Sequence, residues 1–313
     1  MIPAAGPSPR SFDQVFAEGR LSLGVVLPVR RQPDAPIDFR EQIALARRAE
    51  ELGFAAIWVR DVPLNGPWYP EIIGHLDPWV ALGAVSAVTR SIALGTAATV
   101  LPLRHPWHLA KAAASVQALS GQRLLLGLGS GDRPEEFAAF GLRSEDRRTL
   151  FREKWEKLQG ALLHPQSLPG LPDSFELRPT DFVPPPLIVI GSAGQSLEWI
   201  ARHAAGWATY HREPEQQRDR HHLWRRAVDG AAPGQFRSFS VALHLSIERG
   251  SGAATAIPLG YRTGETGLVS ILAEQRDLGV HHLMLNLESS TLEPDESLEL
   301  VAAAAARATG TSS

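Results

Sequence analysis

One pattern recurs from the first quarter of the sequence to its last: a helical stretch ends at a glycine, and a short, mostly apolar run follows. It occurs around Gly53, Gly206 and Gly279. A glycine just past a helix end can adopt the left-handed conformation that closes the last turn. A short run that is apolar throughout is typical of a parallel strand buried on both faces. The three junctions therefore predict a chain of alternating helices and parallel strands.

The number of strand candidates, eight, is the number that a closed (β/α)8 TIM barrel requires. An open doubly wound sheet is the alternative that has the same alternation. A length of 313 residues is enough for a single α/β barrel domain with a long loop insertion, spanning residues 1–313. The candidate strands are Leu21 to Pro28, Phe54 to Val59, Ile92 to Thr99, Arg123 to Gly127, Leu187 to Ile190, Trp207 to Tyr210, Phe239 to Leu245 and His282 to Leu285.

Two segments interrupt this alternation. Residues 1–11 are rich in proline, glycine and serine and suggest a flexible arm. Residues 164–186 are rich in proline and have no periodicity. A loop of that length inside a compact domain is usually functional or mobile, so this segment is a candidate lid.

Composition excludes several classes of function. A net charge of −3 gives no reason to expect nucleic acid or an anionic membrane as a partner. No apolar run approaches the roughly 20 residues needed to cross a bilayer. The absence of cysteine excludes disulfides, thiolate metal sites and thiol nucleophiles. The first residues contain no apolar segment typical of a secretory signal, and together these features predict a cytoplasmic protein.

The turn Gly191 to Ser196, with the sequence GSAGQS, is the best candidate anion site. It joins a predicted strand to a predicted helix, and active sites of parallel α/β folds lie at the carboxyl ends of the strands. Amide groups at a helix start favour a phosphate, and the hydroxyls of Ser192 and Ser196 add donors. A tight turn capped by one of these serines, without any ligand, is the equally weighted alternative.

Other motifs that carry chemistry are missing. The glycines at 127, 129 and 131 do not complete GxGxxG, and there is no P-loop motif. Neither HExxH nor GxSxG occurs, and the histidine pairs 221–222 and 281–282 lack metal-ligand spacing. We therefore expect no catalytic metal. Residues 221 and 222 fit a solvated helix face, and of 281 and 282 one is expected to be solvated and the other packed.

Charged residues that follow the second and third strands are candidates for substrate contact or proton transfer. These candidate catalytic residues are Asp61, Arg104 and His105, with Arg60 beside the first of them. The alternative interpretation is a ring of ion pairs that locks the loops at the barrel mouth. Trp68, in the loop after the second strand, is a candidate border of the pocket.

The stretch from Ile92 to Gly131 resembles the bacterial luciferase-like flavin-dependent monooxygenases. Its run GTAA-x-V-L-P-x-x-H-P is followed by a helix, Leu-Ser-x-x-Arg and a strand that ends in glycine. The segments ARRAEELGFAAIWVRD and GSAGQSLEWIARHAAGW are similar to the same family. Two departures stand out: this chain has Arg60-Asp61-Val62 after strand two, where bacterial luciferase carries a histidine, and Ser130 after strand four, where it carries an arginine that helps to bind phosphate. The first departure weighs against the luciferase aldehyde reaction.

The resemblance implies a reduced-flavin site at the strand ends, usually in a homodimer. It also implies a non-proline cis peptide in the third strand, which corresponds to the bond between Ala97 and Ala98, and a flavin phosphate near Ser192 to Ser196. The cofactor-binding residues that it implies are Ala97, Ala98, Ser130, Gly131, Gly191, Ser192, Gly194, Gln195, Ser196 and Tyr210.

The function that the resemblance favours is a monooxygenase that uses reduced flavin mononucleotide (FMN), supplied by a separate flavin reductase, and oxygen on a small organic substrate. The flavin would supply the oxygen chemistry and the protein would supply position and electrostatics. One alternative is a deazaflavin-dependent enzyme of hydride transfer that uses the same pocket. The other is a non-catalytic flavin-binding protein.

Overall fold

The computed structural model describes residues 10–30, 36–67 and 73–308, so Trp68 lies outside the described residues. The strands that form a barrel are β1 (Ser22–Leu27), β2 (Ala56–Val59), β3 (Ala93–Thr96) with its short continuation β4 (Thr99–Val100), β5 (Leu124–Gly129), β6 (Leu187–Ile190), β7 (Gly206–Tyr210), β8 (Ser238–Ile247) and β11 (His282–Asn286). All their pairings are parallel, and β11 pairs with both β1 and β8. This closes the sheet, and the predicted (β/α)8 barrel is confirmed.

The helices surround this barrel and mostly alternate with its strands. They are α1 (Arg10–Val15), α2 (Phe39–Glu51), α3 (Pro78–Val88), α4 (Pro106–Ser120), α5 (Pro134–Ala139), α6 (Arg147–Leu163), α7 (Leu197–His203), α8 (Pro214–Ala231), α9 (Glu265–Asp277) and α10 (Pro294–Ala308). Helix α1 includes the last two residues of the segment that the sequence suggested as an arm. Phe12 of this helix and Phe16, which follows it, are buried against the amino-terminal end of the barrel.

Glycines end two helices as the sequence predicted, but the third junction has a different cause. Gly53 and Gly279 have φ angles of 84° and 78°, in the left-handed region that closes a helix. Gly206 instead lies inside β7, two residues after the cap of α7 at Ala204. A Cβ atom at Gly206 would lie 1.8 Å from the hydroxyl of Ser238 on the neighbouring strand. The close approach of β7 and β8 therefore requires this glycine.

The side chain of Trp58 is fully buried and fills the part of the barrel interior that lies away from the carboxyl ends of the strands. Two glycines on neighbouring strands make room for it. A Cβ atom on Gly24 would lie 2.6 Å from the indole nitrogen, and one on Gly95 would lie 2.3 Å from the ring. The indole donates a hydrogen bond of 2.8 Å to Nε2 of His282 on β11. Because this end is packed, a ligand can enter the barrel at the carboxyl ends of the strands.

Residues 164–186 contain no helix or strand, yet they are packed in place. Leu168 and Leu177 are buried, and Pro169 rests on Gly160 of α6. The side-chain amide of Gln117 on α4 donates a hydrogen bond of 2.7 Å to the backbone carbonyl of Val183. The segment therefore packs against α4 and α6, and none of its residues is among those that line the pocket described below.

Two strands that the sequence analysis missed extend the sheet beyond β8. They are β9 (Thr255–Ile257) and β10 (Gly260–Thr263). Strand β10 pairs in parallel with the last residues of β8, and β9 pairs antiparallel with β10. A Cβ atom at Gly260 would lie 1.8 Å from the carbonyl oxygen of His244, so only a glycine fits there. This close contact brings Leu259 to the mouth of the barrel.

The carboxylate of Glu50 at the end of α2 organises the turn before β3. It accepts hydrogen bonds of 2.6–3.1 Å from the backbone amides of Arg90, Ser91 and Ile92, and one from the Ser91 hydroxyl. Burial raises the pKa of Glu50, but these hydrogen bonds lower it more, so the pKa lies below its usual value. The turn is therefore held by an ionised carboxylate.

We expect Glu50→Gln to lower the free energy of unfolding by about 1–2 kcal/mol at neutral pH, because charge-assisted hydrogen bonds are lost. Because the pKa of Glu50 is lower in the folded state, its ionised carboxylate stabilises the fold fully above the ordinary glutamate pKa of about 4.3. This contribution is lost as the pH falls through the folded pKa. The difference in the free energy of unfolding between the wild type and Glu50→Gln, measured with urea, should therefore shrink towards acid pH. An unchanged difference from neutral to acid pH would contradict this assignment.

Candidate functional site

A pocket of about 670 Å³, including its part open to solvent, lies at the carboxyl ends of the barrel strands. This is the end at which active sites of parallel α/β folds lie. Residues from β1, β2, β3, β6, β7, β8 and β11, or from the turns that follow them, meet there with Leu259 from the turn before β10. Those that line it are Val26, Arg60, Ala97, Ile190, Gly191, Ala208, Thr209, Tyr210, Ala242, Leu243, His244, Leu259, Met284 and Asn286.

Small side chains line one side of the pocket, on β6, β7 and β8, and Ala97 after β3 lies across the barrel from them. Ala97, Gly191, Ala208 and Ala242 line the pocket, and the peptide bond between Ala97 and Ala98 is cis, as the family resemblance implied. Ile190 and Met284 add an apolar floor. A flat aromatic ring needs an apolar surface free of protruding side chains, and this side of the pocket provides one. The residues present therefore fit a flavin or a deazaflavin ring.

The GSAGQS turn follows β6 directly beside the pocket. Three of its residues have positive φ angles: Gly191 (70°), Ala193 (48°) and Gly194 (68°). The hydroxyl of Ser196 caps α7 by accepting a hydrogen bond of 3.2 Å from the amide of residue 199. The amide of Gly194 donates to the Ser192 hydroxyl at 3.3 Å. The capped turn that the sequence offered as the alternative is thus present, and its two hydroxyls can still donate to an anion.

An arginine that the sequence analysis missed lies over this turn. The aliphatic stem of Arg148 on α6 packs against Gly194, where an added Cβ atom would lie 3.1 Å from it. The side-chain amide of Gln195 donates a hydrogen bond of 3.1 Å to the carbonyl of Arg148 and fixes α6 to the turn. Arg148 is exposed. Its positive charge is therefore carried by a side chain whose stem packs on the turn.

The remaining cofactor candidates flank this site. Ser130 and Gly131 follow β5, whose neighbour in the barrel is β6. Gly131 has a φ angle of 75°, and a Cβ atom there would lie 2.8 Å from Val100. Tyr210 lines the pocket at the end of β7 and is 52% exposed. Of the predicted cofactor residues, Ala97, Gly191 and Tyr210 border the pocket itself.

Two of the three candidate catalytic residues form an ion pair instead of bordering the pocket. Both oxygens of the buried Asp61 carboxylate bond to Arg104, at 2.6 and 2.8 Å, and one also accepts from the amide of Val100 at 3.0 Å. Arg104 also donates to Asp77 at 2.9 Å. Burial lowers the pKa of Arg104, but the two carboxylates raise it above its usual value. This is the loop-locking arrangement that the sequence offered as the alternative.

His105, the third candidate, caps a helix. Its Nδ1 accepts a hydrogen bond of 3.3 Å from the amide of Trp107 at the start of α4, and its ring lies 5.1 Å from that indole. His105 is exposed and is not among the residues that line the pocket. The geometry accounts for the His-Pro sequence through capping, because Pro106 occupies the first position of the helix.

Polar groups meet at the pocket: Arg60, which the sequence analysis named beside Asp61, and His244, Asn286 and Glu288, which it did not assign. Arg60 donates a hydrogen bond of 3.1 Å to Glu288, and the two side chains are 18% and 13% exposed. His244 and Asn286 line the pocket and are register partners on β8 and β11. The Nε2 atom of His244 bonds to the Ser289 hydroxyl at 2.8 Å. Their position at strand ends is the signal by which sequence reasoning could have found them. Because they are far apart in sequence, nothing local showed that they meet.

The other histidine predictions need correction. His281 and His282 are both buried, although one was expected to be solvated. Burial lowers the pKa of His281 to about 4 and that of His282 to about 3, so both rings are neutral at physiological pH. His221 is partly buried against Phe239, with 5.3 Å between the ring centroids, whereas His222 is exposed as predicted. Among the described residues, no group of three or more His, Cys, Asp or Glu side chains could hold a metal ion.

Comparison with known proteins identifies the family. The model of the luciferase-like monooxygenases matches residues 21–308, and this chain belongs to that family. The family's known relatives and structural neighbours are oxidoreductases, and this chain is an enzyme of that kind. Its members use either flavin or the deazaflavin F420. None of the helices in the described ranges is long and apolar enough to cross a membrane.

The comparisons include three similar proteins, of which two are F420-dependent and one is uncharacterized. The uncharacterized protein Rv0953c of Mycobacterium tuberculosis is 38% identical over 192 residues, which cover 54% of this chain and 67% of the relative. The F420-dependent hydroxymycolic acid dehydrogenase of the same organism is 32% identical over 183 residues, covering 55% of this chain and 49% of the relative. An F420-dependent secondary alcohol dehydrogenase has the same fold, with a TM-score of 0.73 at 16% identity, covering 91% of this chain and 98% of its own.

Proposed function

We propose that this protein is a deazaflavin-dependent oxidoreductase that transfers a hydride between its cofactor and a small organic substrate. The observation that carries the proposal is the pocket at the barrel mouth, which small side chains and a set of polar groups line together. The sequence similarity to an F420-dependent dehydrogenase supports the choice of cofactor. A bound deazaflavin would supply the hydride chemistry, and the protein would supply position and proton transfer.

The cofactor ring would rest on Ala97, Ala208 and Ala242, and its phosphate would lie at the turn that follows Gly191. Backbone amides of the turn and the hydroxyl of Ser192 can donate to phosphate oxygens. The guanidinium of Arg148 adds a charge that favours an anion over water. In this arrangement Arg148 takes the part that the missing arginine after β5 plays in bacterial luciferase.

The openness of the pocket is the physical reason to favour hydride transfer over reaction with oxygen. Oxygen chemistry on a reduced flavin needs a site from which water is excluded. Tyr210 and Leu259, at the rim, are 52% and 41% exposed. Residues 164–186, the candidate lid, pack against α4 and α6 instead. Hydride transfer to a deazaflavin needs no comparable protection from water.

The second candidate function is an FMN-dependent monooxygenase, with a separate flavin reductase as its partner. The description of the matching family, luciferase-like monooxygenase, favours it. The same small-residue side of the pocket would accept an FMN ring, because the two cofactors share the shape of their ring system. The two functions differ in whether oxygen is consumed.

Turnover distinguishes these candidates. The purified protein is mixed anaerobically with oxidised deazaflavin and a panel of alcohols, and the loss of the cofactor's visible absorbance is recorded. In parallel, oxygen consumption is recorded with reduced FMN and the same panel. We expect absorbance loss with at least one alcohol and no substrate-stimulated oxygen uptake. Stimulated oxygen uptake without absorbance loss would replace the proposed function by the monooxygenase.

The phosphate site gives a testable prediction. We expect Arg148→Met to weaken binding of the cofactor by about tenfold, because a charge-assisted contact with phosphate is removed. The affinity is measured by fluorescence titration. The matched control is Arg147→Met at the neighbouring exposed position, which should bind as the wild type does. Equal weakening by both variants would indicate a general electrostatic effect instead of a specific contact.

We also propose that the protein is a homodimer that associates through α3. Val80, Ala84, Ala87 and Val88 form an exposed apolar stripe on this helix, and Val80 is 66% exposed. Leu119 on the adjacent α4 is 68% exposed. Contiguous apolar surface of this kind often marks an interface.

We expect Val80→Asp to raise the dissociation constant of the dimer at least about tenfold, because the charge would be buried in the interface without a partner. Sedimentation velocity over a range of concentrations measures this change. Leu223→Asp on the exposed face of α8 is the control. A wild-type protein that sediments as a monomer at all concentrations would contradict the proposed assembly.

A further inference from the structure

Two arginines lie at the carboxyl end of β7, where that strand borders the pocket. Thr209 lines the pocket, and its hydroxyl accepts a hydrogen bond of 2.7 Å from the guanidinium of Arg220 on α8. Arg212 follows two residues after Tyr210, the last residue of β7, and its guanidinium donates to the backbone carbonyl of His211 at 3.2 Å. Both positive charges are therefore held close to the mouth of the barrel.

No acidic side chain neutralises these two arginines. Among the described residues, neither Arg212 nor Arg220 forms an ion pair, and Glu213, which follows Arg212 directly, is exposed. Both arginines are half-buried, and burial together with the charge of Arg212 lowers the pKa of Arg220. Because charges that are withdrawn from water are normally paired, the two guanidinium groups favour a negatively charged ligand beside them.

The face of α8 that packs on β7 brings a third polar side chain, that of Gln217, to the same place. The rings of Trp224 and Trp207 lie 5.7 Å apart, and Arg220, one helical turn earlier, bonds to the residue two positions further along the strand. One turn of helix and two residues of strand have nearly the same length. The same step from Arg220 reaches Gln217 on the helix and His211 on the strand.

Gln217 and His211 both have polar atoms to spare. Gln217 is fully buried, and neither polar atom of its side-chain amide has a hydrogen-bond partner among the described residues. His211 is 4% exposed, and its Nδ1 atom likewise has no partner in the part of the chain that the structure describes. Buried polar groups are almost always hydrogen-bonded in native proteins. The amide nitrogen of Gln217, and Nδ1 of His211 in the tautomer that carries a hydrogen there, can donate to an anion.

The chemistry of this arginine pair differs from that of the turn after β6. The turn offers backbone amides and hydroxyls, which suit the phosphate of the cofactor. The arginines offer planar guanidinium groups, whose parallel N–H bonds match two oxygens of a phosphate or a carboxylate. Because the turn and Arg148 provide for the phosphate of the cofactor, the arginine pair is available to the molecule that shares the pocket with the ring.

We propose that Arg212 and Arg220 form a second anion site, which binds a phosphate or carboxylate group carried by the substrate. The hydrogen bond to Thr209 holds Arg220 at the border of the pocket. A substrate anchored at the end of β7 then has its reacting carbon within the pocket, beside the cofactor ring. The anion site follows from the protein alone, whereas its assignment to the substrate rests on the proposed function.

Calorimetric titration of the deazaflavin-loaded protein with inorganic phosphate tests the site, with chloride used to keep the ionic strength constant. We expect saturable binding that Arg212→Met and Arg220→Met each weaken by at least about tenfold, because a charge-assisted contact is lost. Arg218→Met, at an exposed position on the same helix, is the matched control and should bind phosphate as the wild type does. No saturable binding by the wild type, or equal weakening by all three variants, would overturn the site.

A second pair of titrations decides which molecule carries the anion. Glycerol 3-phosphate should bind the deazaflavin-loaded protein at least about tenfold more tightly than glycerol, and Arg220→Met should abolish this preference. The affinity for deazaflavin itself should be unchanged in Arg212→Met and Arg220→Met. If both variants lose deazaflavin affinity as strongly as they lose phosphate affinity, the anion belongs to the cofactor and its assignment to the substrate is wrong. Equal binding of glycerol and glycerol 3-phosphate would also overturn that assignment.

The outcomes also separate this inference from the proposed function. A wild type that binds deazaflavin but not phosphate would contradict the anion site and leave the proposed cofactor in place. If the wild type does not bind deazaflavin, the phosphate titration is made on cofactor-free Arg148→Met, in which the turn after β6 is weakened as a phosphate site. Phosphate binding there that Arg220→Met removes would support the anion site although the proposed function is wrong.

Discussion

Ala242→Phe is expected to weaken cofactor binding by at least about 100-fold, or roughly 3 kcal/mol, while the protein stays folded. Ala242 lines the pocket on β8, next to Ala208 on the neighbouring β7. A phenyl ring there would occupy the space in which the cofactor ring is expected to lie. Because the new side chain points into an open pocket, it need not displace core residues. Fluorescence titration measures binding, and circular dichroism with thermal unfolding checks the fold.

The matched control for this variant is Ala44→Phe, which introduces the same side chain at an exposed position on α2. We expect it to bind the cofactor as the wild type does. If Ala242→Phe binds the cofactor with unchanged affinity, the ring does not lie against the alanine side of the pocket. That outcome would require a different cofactor position even if the wild type binds tightly.

Arg123→Met is expected to lower the free energy of unfolding by about 3–5 kcal/mol, the largest effect on stability that we anticipate. The buried guanidinium and Nε of Arg123 donate hydrogen bonds to the carbonyls of Ser120, Thr89 and Ile92 and to the Thr89 hydroxyl. These contacts join the ends of α3 and α4 to the start of β3. A methionine fills a similar volume but leaves several buried acceptors without donors.

Urea unfolding at neutral pH measures this loss, and Arg90→Met is its control. Arg90 is exposed and lies in the same turn, so its loss should change the free energy of unfolding by less than about 0.5 kcal/mol. A loss for Arg123→Met similar to that of the control would mean that the buried arginine contributes little. The motif Leu-Ser-x-x-Arg would then need another explanation.

The barrel strands were predictable because each is a short apolar run next to a helix. Burial on both faces removes polar residues from such strands, so Leu187–Ile190 was found with its observed bounds. Strands β9 and β10 were missed because they are short, β9 is largely exposed at the edge of the sheet, and only two of the four residues of β10 are buried. Their sequence therefore has neither a continuous apolar run nor a clear alternation. What fixes them is pairing with the end of β8, which is a tertiary contact.

The candidate site was predictable only in part. The turn after β6 and the cis bond between Ala97 and Ala98 are local features, so residues close together in sequence carry them. His244 and Asn286 meet because β8 and β11 are neighbours in the closed barrel. The pairing of Asp61 with Arg104 likewise depends on how two loops fold towards each other. Sequence reasoning placed these charges at the mouth, but it could not say which of them face the pocket.

The anaerobic titration of the purified wild-type protein with oxidised deazaflavin, and in parallel with reduced FMN, tests the central claim most directly. We expect saturable binding of the deazaflavin that is tighter than that of FMN and that is weakened by Ala242→Phe and by Arg148→Met. Tighter binding of FMN would contradict the proposed cofactor and favour the monooxygenase. Binding of neither compound would contradict the assignment of the barrel mouth as the cofactor site.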